Sequence, residues 1–176
     1  MSNLFTALTS ALFGRFAPQN DTPRRFRCSS NGATLQFYKA PFVHQSYDAE
    51  GNELFTGQSI DGKATYGFVT CRLACPLSDR MLAEQRLFLF MEHLHPHYGI
   101  ECTTGLDTGL EHRACRDAVG MSEYWQDADG KDWKVMGWTD GTLVTVLYIR
   151  NISITDFRRQ DAFFESFRFA PARKLA

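Results

Sequence analysis

The stretch Thr142-Leu-Val-Thr-Val-Leu-Tyr-Ile-Arg-Asn151 decides the fold. Leu143, Thr145, Leu147 and Ile149 alternate with Val144, Val146, Tyr148 and Arg150, so both sets of the two-residue period are largely apolar. A strand with one wet face is apolar on one set only, whereas a strand covered on both sides is apolar on both. The stretch is therefore predicted to be a central strand with a layer packed on each face.

Reading upstream, Leu110 to Asp117, Val119 to Asp127 and Lys131 to Thr139 have strand character, and Asp129-Gly130 and Asp140-Gly141 supply turns. Consecutive short strands joined this way are antiparallel neighbours. Downstream, Thr155 or Asp156 is placed to cap a helix through Phe157, Phe163, Phe164 and Phe167, whose apolar stripe must bury itself on the sheet.

The first half follows the same plan. Thr34 to Lys39, Phe42 to Asp48, Glu53 to Ile60 and Thr65 to Cys75 read as strands, broken by Pro41, the Asp48-Ala-Glu-Gly-Asn52 turn and Asp61-Gly62. Ser78 is predicted to cap a helix, with Asp79 at the positive end of its dipole, that runs to about His93 before Pro96 and Gly99 stop it. Leu77, Met81, Leu82, Leu87, Phe88, Leu89, Met91 and Leu94 cover more than one narrow stripe, which predicts burial on a broad face. Helices that follow runs of strands point to an α+β fold, an antiparallel meander sheet with helices packed on it, and not to a doubly wound parallel sheet.

Residues 28–176 are read as a single α+β domain, with 1–27 as an N-terminal amphipathic segment and linker. Leu4, Phe5, Leu8 and Leu12 recur at helical spacing, as a docking or partner-binding helix would require. Ala17 to Arg27 carries two prolines and little periodicity, and Arg24, Arg25 and Arg27 read as solvated linker charge. A formal charge of -1 provides no field to draw the chain onto nucleic acid. No apolar run approaches the roughly 18 residues of a membrane span. The five cysteines are odd in number and scattered without paired C-x-x-C spacing, which disfavours a disulfide framework or zinc site and favours buried thiols, Cys71 and Cys75 among them, in the cytoplasm.

The sharpest chemical pattern is His93-Leu-His95-Pro-His97 with His112 beyond, three imidazoles in five residues that would supply metal ligands if the backbone were extended there. A helix C-terminus explains the same histidines through the dipole. Cys102 or Cys115 with His112 and Glu111 or Asp107 is a generic nucleophile set, and His112 and Cys115, three apart in one strand, are expected to face opposite ways. Asp127 with Asp129, and Asp48 with Glu50, coincide with turns and are read as turn chemistry. Tyr124, Trp125, Trp133 and Trp138 fall on adjacent strands and would form either core or an exposed binding platform.

The Gly141 to Tyr148 strand, leading to Phe163-Phe-Glu-Ser-Phe-Arg-Phe169, resembles the Mog1/PsbP-like group, as does Glu111-His-Arg-Ala-Cys-Arg116 followed by an aromatic strand. The resemblance spans about Thr34 to Phe169. It implies an α/β/α sandwich used as a binding module, since the group includes a GTPase-binding transport factor, photosystem II extrinsic subunits and adaptor chaperones of type VI secretion. The expectation is a non-catalytic bacterial protein-binding module of the adaptor, chaperone or immunity type. It would need no cofactor, would bind another protein, and leaves room for a homodimer. The alternative is a metal-dependent enzyme or metal-binding protein using His93, His95, His97 and His112.

Overall fold

In a computed structural model, which describes residues 22–152 and 156–171, Leu143–Arg150 is the middle strand of a seven-stranded antiparallel sheet. The elements, in chain order, are β1 (Arg24–Arg27), β2 (Thr34–Phe37), β3 (Phe42–Tyr47), β4 (Glu53–Asp61), β5 (Ala64–Arg72), α1 (Arg80–Tyr98), β6 (Ile100–His112), β7 (Cys115–Asp127), β8 (Asp132–Thr139), β9 (Leu143–Arg150) and α2 (Phe157–Glu165). The order across the sheet is β3-β4-β5-β9-β8-β7-β6, so two meanders meet where β5 pairs with β9. At that seam the Thr70 and Thr145 hydroxyls, both buried, bond to each other at 2.8 Å, which removes the cost of burying either alone.

The alternation in β9 separates two cores. Leu143, Leu147 and Ile149 pack with Leu35, Phe37, Phe68, Phe163 and Phe167 under α2 and the β1–β2 hairpin. Val144, Val146 and Tyr148 pack with Leu87, Met91, Trp125, Trp133 and Val135 under α1. The α1 helix approaches the sheet closely because Gly137 has no side chain: a Cβ there would lie 2.7 Å from Leu87 Cδ1 and 2.9 Å from Met91 Sδ.

Several boundaries differ from expectation, each for a physical reason. Arg24–Arg27 is not linker but a strand paired with Thr34–Phe37, where Arg25 donates to Thr34 Oγ1 and the Ser166 carbonyl. The α1 cap is Asp79, not Ser78; its Oδ1 accepts from the Met81 and Leu82 amides at 2.7 and 3.2 Å. Pro96 removes one helical bond without ending the helix, which runs to Gly99 in the left-handed conformation at φ 64°.

The predicted strand Leu110 to Asp117 straddles a tight hairpin. The chain turns at Arg113-Ala114, and β6 begins at Ile100, ten residues before the predicted start at Leu110. Glycines at positive φ, Gly105 and Gly109, and a largely polar composition hide β6 from a strand pattern. Asp156 precedes α2 without a side-chain cap bond. Thr155 and the candidate residues Leu4, Phe5, Leu8 and Leu12 lie outside the described residues. No helix among the described residues is long and apolar enough to cross a membrane.

Candidate functional site

The histidines are dispersed. Because α1 continues through Pro96, side chains two apart point to opposite sides of a helix and do not converge. His93 is exposed, and His97 stacks edge-on against Tyr98. His95 packs edge-on against Trp125 at 4.9 Å, between Glu92 and Glu123 at 3.7 and 3.6 Å.

His112 lies across the sheet, against Trp138 and Phe167. Its Nδ1 accepts from the Ala114 amide at 3.2 Å and its Nε2 donates to the Phe167 carbonyl at 3.3 Å, a pair of bonds that assigns the neutral tautomer. Burial lowers its pKa accordingly. Among the described residues no three His, Cys, Asp or Glu side chains are placed to hold a metal ion.

The nucleophile set does not assemble either. His112 and Cys115 are direct cross-strand partners around the hairpin, contrary to the expectation of opposite faces, yet both nitrogens of the ring are already engaged. Burial raises the Cys115 thiol above its ordinary value. Cys102 is exposed ten residues away along β6 from His112, and outside this set burial pushes Cys71 up to about 11 and Cys28 to about 12. Cys71 is buried as expected, whereas Cys75 is exposed.

The tryptophans are core and not a platform. Trp125 and Trp133 oppose each other across β7 and β8 beneath α1, with Tyr148 and Tyr98 stacked on Trp133. Trp138 is buried on the other face, and Tyr124 alone of the four is exposed, at 47%. The carboxylates behave as turn chemistry. Asp127 accepts from the Asp129 and Lys131 amides, from Trp133 Nε1 at 2.9 Å and from Arg150 Nε at 2.7 Å. Burial opposes its charge, but these donors outweigh that effect and hold its pKa below the usual aspartate value. Asp48 accepts from the Glu50 and Asn52 amides, and Glu50 pairs with Arg86.

What remains is a surface on α1. The helix buries Ala83, Leu87, Met91 and Leu94, but Met81, Leu82, Phe88 and Leu89 are exposed on its outward side. The broad burial predicted for this helix is therefore only half realised. Leu89 also lines a cleft of about 370 Å³ between α1 and the β3–β4 end of the sheet, with Leu54, Cys71 and Phe90 inside and Glu50, Arg86 and His93 at its edge. Leu89 thus joins the exposed apolar residues of α1 to the cleft, among the exposed polar residues Gln85, Glu92 and His93. The signal for this surface was present in the sequence as the surplus apolar residues of this helix.

No protein-family model matches the chain, and no curated protein matches it.

Proposed function

We propose that the chain is a non-catalytic protein-binding module, an adaptor, chaperone or immunity-type protein of the bacterial cytoplasm, and that its partner surface is the outward face of α1 with the adjoining cleft. One observation carries this reading: four large apolar side chains of one helix, Met81, Leu82, Phe88 and Leu89, face solvent while the opposite side of the same helix is fully packed. Large apolar side chains grouped on the exposed side of one helix favour a surface that something else covers. The cleft beside Leu89 would accept an apolar anchor from the partner, and the Glu50–Arg86 pair and His93 would form a polar rim around it.

The α/β/α sandwich of the Mog1/PsbP-like resemblance is supported by one helix over each face of the sheet. The metal-dependent alternative gains no support from histidines that lie on opposite faces.

The test is affinity capture from the producing cells with the full chain and with a Leu82→Glu/Leu89→Glu double variant. Wild type is expected to retain a stoichiometric partner that the double variant loses while keeping its circular dichroism spectrum. A partner retained equally by both forms contradicts the assignment.

A further inference from the structure

The two borders of the sheet are built differently. β6 shifts register against β7 at four places and carries Gly105 and Gly109 at φ 67° and 70°, and Glu101, Asp107 and Glu111 add charge. Bulges and charges of this kind keep a border strand from pairing with another chain. β3 has none of them. Its six residues pair with β4 from Phe42↔Gln58 to Tyr47↔Glu53 without a shift, and Phe-Val-His-Gln-Ser-Tyr contains no lysine, carboxylate or proline. Phe42 is 78% exposed and Tyr47 64%.

We propose that β3 pairs antiparallel with the β3 of a second copy of this chain, about a two-fold axis at Gln45, so that the two sheets become one. In that register Val43 opposes Tyr47 of the second copy, His44 opposes Ser46, and Gln45 opposes its own counterpart. Opposed residues must share a face: Val43, Gln45 and Tyr47 lie on the α2 side with Gly57, Phe55 and Glu53, and His44 and Ser46 lie on the α1 side with Thr56 and Leu54.

A β-branched residue against an aromatic is a favourable cross-strand pair, and no like charges meet anywhere along the strand. Gln45 and Tyr47 are already held from behind, since Gln45 Nε2 donates to Glu53 Oε1 at 2.7 Å and Tyr47 Oη to the same atom at 3.4 Å. Their ordering therefore costs less on association. In this register the strand is complementary to itself without any opposed like charge, and a two-fold dimer is the commonest closed assembly. The inference is separate from the α1 reading, because the pairing leaves α1 uncovered.

The experiment is the mass of the full chain by light scattering up to about 100 μM, for wild type, His44→Glu, His44→Lys and their equimolar mixture. Wild type is expected to be a dimer and each variant a monomer with an unchanged circular dichroism spectrum. The mixture is expected to regain the dimer mass, because positions 44 of the two copies are diagonal neighbours on one face, about 7–8 Å apart, and then carry opposite charges. Thr104→Glu on β6 and Leu82→Glu/Leu89→Glu on α1 are expected to remain dimeric. A monomeric wild type, dimeric single variants, a mixture that stays monomeric, or a dimer broken by the β6 or α1 changes would each overturn the proposal.

Discussion

The two helices cover opposite faces of one sheet and solve that task alike on the inside, but they differ on the outside. The nine-residue α2 buries Phe163 and Phe164, and it turns outward Asp161 and Glu165, which are engaged by Lys134 and Arg113. The 19-residue α1 buries Ala83, Leu87, Met91 and Leu94, and turns outward Met81, Leu82, Phe88 and Leu89. The inner residues of both are explained by the sheet beneath them, and the outer residues of α2 by ordinary solvation except Phe157, predicted to join the buried stripe but exposed at the first turn. Nothing in the fold calls for the outer residues of α1, and the proposed partner surface rests on them.

The comparison is sharpened first where the helices should agree. Phe163→Ala beneath α2 should cost about 3–5 kcal/mol and Leu87→Ala beneath α1 about 2–5 kcal/mol in urea unfolding. A Leu87→Ala cost under about 1 kcal/mol would mean that α1 is not anchored as α2 is. Next in size is the polar anchor beside the α1 core. Asp127→Ala leaves Trp133 Nε1 and Arg150 Nε without their acceptor, while Arg150 keeps its bond to Asp129, and should cost about 2–3 kcal/mol.

That anchor also predicts an acid dependence. The Asp127 pKa is lowered in the fold, so its contribution is complete above the unfolded value and is lost as pH falls through the folded one. Below about pH 5 wild type should lose stability more steeply than Asp127→Asn. Parallel pH profiles would remove the anchor from the account. The smallest effects are expected on the outer faces: Met81→Glu, Leu89→Glu and Glu165→Ala should each change stability by no more than about 0.5 kcal/mol. A larger loss at Met81 or Leu89 would mean that the outward face of α1 is structural after all.

Much of this fold is legible from period and turn chemistry. The all-apolar alternation of Leu143 to Ile149 places β9 at the centre of the sheet, and the Asp-Gly pairs at 61, 129 and 140 mark real turns because their glycines adopt positive φ. β6 is not legible, because its glycines and bulges erase the two-residue period, and β1 is masked by arginines that keep their heads in water while the backbone pairs. Pro96 looks like a stop in sequence, but a single lost bond in the last turn is tolerated when Gly99 provides the cap.

The candidate site is legible only in part. Period alone places Trp125 and Trp133 on one face, but it cannot say that α1 covers that face. The surplus apolar residues of α1 are visible in sequence, yet which of them stay exposed depends on where the helix crosses the sheet, here over β7, β8 and β9.

The most direct test of the α1 surface is photo-crosslinking in the producing cells, with a benzophenone amino acid placed at position 89 on α1 or at position 165 on α2. A discrete adduct with another protein from position 89 and none from position 165 is the predicted result. No adduct from position 89, or the same adduct from both positions, would contradict the assignment of α1 as the partner surface.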